Sequence, residues 1–238
     1  MQAYFKLSND ILDSGLTPNE LKVAAYLYSC VRKCNWFVSV KQSTIACKCG
    51  IRKVETVGSI ICRLQRKGVI ERVSRPHKTN GQLGTYIYKL KEIAAKGFFK
   101  IKRYILGRLN GVQLRMYLFV CRAVTKKNDM WNSFNDISRA LQIGRKKVIA
   151  VINELVEMGF IRKFKVLKKD GSYSDNLYSV SEPTAENKNQ VKIVESPEQA
   201  ATAFGTFRNK LHLNYIPPVI ACQAVKQEFF SFQSGVVP

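Results

Sequence analysis

Between residues 18 and 33 the apolar side chains Leu21, Ala24, Ala25, Leu27 and Tyr28 recur at the spacing of one helical face. Residues 112–126 repeat the pattern with Leu114, Tyr117, Leu118 and Cys121. Each stretch opens with a capping residue followed three positions later by Glu or Gln: Thr17 with Glu20, and Asn110 with Gln113. That reciprocal pair satisfies the first free amides of a helix. Ser39-x-x-Gln42 and Ser133-x-x-Asp136 read as further N-caps, each opening a short helix. The first of these short helices is expected over 40–48, with Ile45 and Ala46 inward and a break at Cys49-Gly50. A third helix is expected at 52–67, burying Val57, Ile60, Ile61 and Leu64 and ending at Gly68 as a left-handed C-cap.

After Gly68 the period shortens. Val69 to Val73 and Thr85 to Leu90 read as strands of a long hairpin that turns at Asn80-Gly81. Phe160 to Leu167 and Ser172 to Val180 read as a second hairpin, turning at Asp170-Gly171. The two stretches are repeats: Val57, Ile61, Leu64, Gly68 and Ile70 match Val148, Ile152, Leu155, Gly159 and Ile161 at a constant offset of 91 residues. Tyr4-Phe5-Lys6-Leu7 likewise answers to Phe98-Phe99-Lys100-Ile101, and Trp36 and Trp131 fall in equivalent loops as expected packing anchors. Helix, helix, helix, hairpin is the winged helix-turn-helix order. The expected fold is therefore mainly α with small β wings, an α+β class. It comprises two tandem winged helix-turn-helix domains, 1–94 and 95–182, followed by a linker and C-terminal tail, 183–238.

Composition sharpens this picture through charge. The chain has 238 residues, 46% of them hydrophobic, enough for a buried core, and its 39 Lys and Arg against 17 Asp and Glu give a net charge of +22. Residues 1–94 carry +10 and residues 95–182 carry +11, whereas residues 183–238 carry +1. Solubility alone does not concentrate charge in the two repeated halves, so a polyanionic partner is expected. No stretch approaches the ~20 apolar residues of a membrane span, and Met1 to Lys6 lacks the order of an export signal. The expectation is a cytoplasmic, nucleoid- or plasmid-associated protein without membrane contact, its 7 cysteines reduced thiols.

Cys49-Gly50-Ile51-Arg52-Lys53-Val54-Glu55-Thr56-Val57, followed by Leu64 and Gly68-Val69-Ile70, resembles the winged-helix domains of plasmid and mobile-element replication initiators and related helix-turn-helix proteins of Gram-positive bacteria. The resemblance covers both halves and not the tail. One departure is that such domains usually carry Ser before the recognition helix, where this sequence has Arg52 and, in the second half, Gly144. The resemblance implies binding of double-stranded DNA at an origin and recruitment of host replication proteins.

In this architecture the third helix enters the major groove. With the apolar positions inward, the exposed face in the first half would present Arg52, Lys53, Glu55, Thr56, Ser59 and Arg63, and in the second Arg145, Lys146, Lys147, Ala150 and Asn153. Arg pairs with guanine, Asn with adenine, Glu with the cytosine amino group, and a Thr or Ala methyl with thymine. The faces differ, so two unlike half-sites are expected. Arg72, Arg75, His77 and Lys78 in the first wing, and Lys163, Lys165, Lys168 and Lys169 in the second, are expected at phosphate or minor groove. Glu55 makes the first half the better candidate for a unit that has exchanged DNA binding for protein contact.

Other chemistry is set aside. Cys30, Cys34, Cys47 and Cys49 lack the spacing of a zinc knuckle and are expected as core thiols, so neither a metal nor a cofactor is expected. His77 and His212 have no neighbouring nucleophile or carboxylate, and Glu154, Glu157, Glu186, Glu195 and Glu198 are spaced as solvated charges, so no enzyme is expected. The tail reads as a polar linker over 184–190, a short helix after Ser196-Pro197, and an apolar segment after Pro217-Pro218. That segment is a candidate for docking on its own domains, on a host replication protein or on a second copy in a homodimer. Two alternatives stay open: a transcription regulator at a promoter or operator, and a winged-helix interaction scaffold without DNA.

Overall fold

The computed structural model describes residues 4–32, 35–124, 129–166 and 176–183, and the backbone of 191–194. The architecture is mixed α/β, with helices and, among the described residues, three small sheets that both contribute to the core. The first half runs β1 (Tyr4–Ser8), a 3-10 turn (Asn9–Leu12), α1 (Pro18–Ser29), β2 (Phe37–Ser39), α2 (Gln42–Cys49), α3 (Val54–Arg66), β3 (Ile70–Ser74) and β4 (Ile87–Leu90). The second repeats that order as β5 (Phe98–Lys102), α4 (Ile105–Arg108), α5 (Gly111–Ala123), β6 (Met130–Trp131), α6 (Phe134–Leu141), α7 (Arg145–Glu157), β7 (Ile161–Val166) and β8 (Leu177–Val180), then adds β9 (Val191–Val194).

Helix ends follow local chemistry. Thr17 with Glu20, Asn110 with Gln113, and Ser133 with Asp136 form capping boxes at α1, α5 and α6. The cap expected at Ser39 does not form: Ser39 closes β2 opposite Ile87, its backbone committed to the ladder, and α2 starts after Lys41 without a side-chain cap. The third helix also starts later than expected, at Val54, so Arg52 and Lys53 precede it. Gly50, at φ 68°, ends α2, and Gln142 takes that role at φ 52° after α6, the one non-glycine at positive φ among the described residues. Gly68 and Gly159 turn the chain out of α3 and α7 at φ 70° and 77°.

The sheets differ at one edge. β2, β4 and β3 form an antiparallel trio, and β6, β8 and β7 form its counterpart, with β9 added parallel to β7. This added strand, within the stretch expected to be linker and tail, pairs an edge whose counterpart on β3 is unpaired among the described residues. The hairpin turn at Asn80-Gly81 forms as expected, with Gly81 at φ 76°. The turn expected at Asp170-Gly171 lies outside the described residues.

β1 and β5 join the halves. Their antiparallel register places Lys6 opposite Lys100, Phe5 opposite Ile101 and Leu7 opposite Phe99. Phe5 and Phe99 are repeat equivalents, as are Leu7 and Ile101, so Phe5 meets the equivalent of Leu7 while Leu7 meets the equivalent of Phe5. That self-complementarity is the mark of a two-fold relation, here within one chain. A second contact obeys it: a Cβ on Gly111, the first residue of α5, would stand 2.9 Å from the carbonyl carbon and oxygen of Pro18, the first residue of α1. One continuous core spans both halves, from Phe5, Leu7, Leu21 and Leu64 to Phe99, Ile101, Leu118 and Leu155. Of the two expected anchors, Trp36 packs edge-on to Tyr28 with ring centroids 6.4 Å apart, whereas Trp131 is exposed at the end of a two-residue strand.

Candidate nucleic-acid interface

The third helix of each half buries the face that the sequence pattern assigns to the core: Val57, Ile60, Ile61 and Leu64 on α3, and Val148, Val151, Ile152 and Leu155 on α7. Burying these aliphatic side chains contributes about 1.5–3 kcal/mol each relative to exposure, which fixes the rotation of each helix. The opposite faces are left to solvent. Glu55, Thr56 and Ser59 are exposed on α3, with Arg52 and Lys53 exposed in the turn before it. Arg145, Lys146, Lys147, Ala150 and Asn153 are all exposed on α7. Val54, Cys62 and Arg66 also lie exposed on α3, beyond the residues that the sequence pattern assigns to this face.

Arg63 does not join that face. Its Nε donates to Glu20 Oε1 at 2.5 Å, and Lys67 Nζ donates to Glu20 Oε2 at 2.8 Å. Both cations are thereby held on α1. Glu20 is 1% exposed. Burial alone would raise its carboxyl, but hydrogen bonds from Lys67, the Thr17 backbone and Arg63 outweigh it and hold the group at about 2. The second half solves the same contact differently: Gln113 Nε2 donates to Glu154 Oε2 at 2.8 Å, so Glu154 is an interhelix partner and not a merely solvated charge. Lys147 and Glu154 line a cleft of about 300 Å³ where the starts of α1 and α5 meet α7, with Pro18, Asn19, Asn110 and Gly111 on its other walls.

The hairpin residues divide. Arg72 and Lys78 are exposed as expected. Arg75 Nε donates to the Gly84 carbonyl at 2.9 Å and its guanidinium lies over Tyr86, 4.8 Å from the ring centroid, while His77 Nδ1 donates to the Gly81 carbonyl at 3.2 Å. These bonds stiffen the hairpin. Lys163 departs from expectation: it is 7% exposed, its ammonium 4.4 Å from the Phe134 ring centroid, and burial followed by the charge of Lys165 pushes its pKa down. The Phe134 ring of α6 covers its ammonium, and of β7's six residues only Lys165 is exposed. Arg162, which the charge count also included, is buried beside it. Lys165 is exposed, and Lys168 and Lys169 lie outside the described residues.

Of the cysteines set aside as core thiols, Cys49 is buried, with its thiol pushed up to about 12 by burial. Cys30 is half-buried, Cys47 is exposed, contrary to expectation, and Cys34 lies outside the described residues. Among the described residues no helix is long and apolar enough to cross a membrane.

No protein-family model and no curated protein matches the chain. Among solved structures, the crystal structure of Pi initiator protein in complex with iteron DNA is similar to this chain at a TM-score of 0.43 and 11% identity, over 76% of this chain and 98% of that one.

Proposed function

We propose that this chain binds double-stranded DNA with sequence preference through two winged helix-turn-helix units, 1–94 and 95–182, and serves in the initiation of plasmid or mobile-element replication, without catalysis. The observation that carries the reading is α7. Arg145, Lys146 and Lys147 stand exposed on its first turn while its apolar face is buried, and among the described residues none of the three is held in an ion pair. Three unspent cations at the start of an exposed helix are what a phosphate-flanked groove attracts. The internal two-fold relation supports the second half of the reading: α3 and α7 would approach the duplex in opposite orientations, as paired units do on a divided site. The initiator role rests on the resemblance of residues 49–70, and a soluble, plasmid-associated location follows from it.

The test is duplex affinity against salt. Several neutralised phosphates should cost about 10³-fold or more between 50 and 200 mM salt. Salt-insensitive or undetectable binding would leave a protein-interaction scaffold. Selection from a random duplex pool then separates roles: repeated sites in an AT-rich origin fit initiation, and a single promoter-overlapping site fits a transcription regulator.

A further inference from the structure

The same register that pairs Val57 with Val148 pairs Val54 with Arg145, Glu55 with Lys146 and Thr56 with Lys147. At the three positions where α7 begins with cations, α3 begins with an aliphatic, an acidic and a hydroxyl side chain, all exposed. Val54 is 38% exposed, a large apolar side chain left outside a core that takes in Val57, Ile60 and Ile61 of the same helix. Arg52 and Lys53, in the turn just ahead of it, supply the cations that α3 itself lacks there. A helix laid in the major groove with that order would place its charges on the flanking phosphates and its first turn against base edges. The one apolar feature that the major-groove base edges present is the 5-methyl group of thymine.

We propose that Val54 is a specificity-determining residue whose γ-methyl groups meet a thymine 5-methyl group, so that the half-site under α3 is selected through methyl contact while the half-site under α7 is selected through hydrogen bonds from Arg145 and Asn153. This rests on the reading that α3 enters the groove of duplex DNA. Glu55, beside it, fits the same division: a carboxylate repels phosphate but accepts from the cytosine amino group. The half-site under α3 is therefore read at pyrimidines and that under α7 at purines.

The experiment is a two-by-two comparison on the full chain, with a duplex selected from a random pool and the same duplex carrying deoxyuridine for thymine in one half-site at a time. Deoxyuridine pairs as thymine does and lacks only the methyl group. The wild-type chain should lose about fourfold in affinity on the substituted α3 half-site, the factor for removing one methyl-sized group from a buried contact. Val54→Ala should abolish that difference and leave any response to substitution in the other half-site unchanged. Val54 lies outside the core, so the variant is checked for an unchanged unfolding midpoint, and Val54→Ile, which keeps the contact, should keep the methyl dependence. Tight, salt-dependent binding that ignores the thymine methyl, or a methyl dependence that survives Val54→Ala, would overturn this inference and leave the DNA-binding reading standing. Absence of duplex binding would overturn both.

Discussion

Glu20 and Gln113 stand at the same place in the two halves, three residues past the N-cap of α1 and of α5, and each reaches across to the third helix of its own half. In the first half a buried carboxylate gathers Arg63 and Lys67; in the second a neutral amide donates to Glu154. The first design spends cations inside the protein, and the second leaves the positive charge of α7 at its exposed start. Two halves with net charges of +10 and +11 therefore do not offer equal charge to a partner. Segment totals measure what a sequence contains; hydrogen bonds and burial decide what remains to attract phosphate.

The sharpest way to break this comparison is to ask whether the halves fold as one. Phe99, 3% exposed, sits in the β1–β5 ribbon that joins them. Phe99→Ala should cost about 3–5 kcal/mol and lower a single unfolding transition shared by both halves, read by calorimetry. Two separated transitions would contradict the continuous core. Next in size is the clamp. Glu20→Ala should cost about 2 kcal/mol in chemical denaturation, less than the ~3–5 kcal/mol of a fully buried pair because Arg63 and Lys67 are partly exposed. Its pH signature has a definite sign: the folded carboxyl is lowered from 4.5 to about 2, so its stabilisation is present above pH 4.5 and is lost as pH falls toward 2. Glu20→Gln, which copies the second half, should flatten stability across that window.

A smaller change sharpens the contrast from the other side. Glu55→Lys gives α3 the charge that α7 carries at Lys146, and should tighten duplex binding about tenfold, by an added phosphate attraction, while blurring preference in its half-site. The smallest effect concerns the seam. Gly111→Ala places a methyl group 2.9 Å from the Pro18 backbone and should cost about 1 kcal/mol, seen as a lowered Tm, whereas Gly107→Ala, with open space around it, should be near neutral.

Much of this was legible in the chain. The apolar period of residues 57–64 and 148–155 places both third helices, and the capping pairs at Thr17, Asn110 and Ser133 set three helix starts, because each signal is local. What was not legible depends on pairing over long separations. The equivalence of Phe5 and Phe99 reveals a repeat, but not that the two strands bond to each other about a two-fold axis. Arg63 looked free because its partner lies 43 residues away, in a glutamate already explained as a cap. Lys163 reads as exposed because alternation along β7 predicts a wet face, whereas its ammonium packs over the ring of Phe134 on α6, a contact that alternation within a strand does not reveal. Arg145 to Lys147 were readable because exposed helix starts need no distant partner.

The central claim, that the exposed start of α7 carries the affinity for duplex DNA, is tested most directly by the salt dependence of binding. Wild type should be compared with Lys146→Glu combined with Lys147→Glu, and with the same reversal at Lys188, in the linker, and Lys192, in β9 beyond it. The account predicts that the α7 reversal lowers affinity about 100-fold and reduces the slope of log affinity against log salt by about two, while the second reversal leaves that slope nearly unchanged. Equal losses from the two reversals would contradict it, since general charge attraction without a docked helix would then suffice.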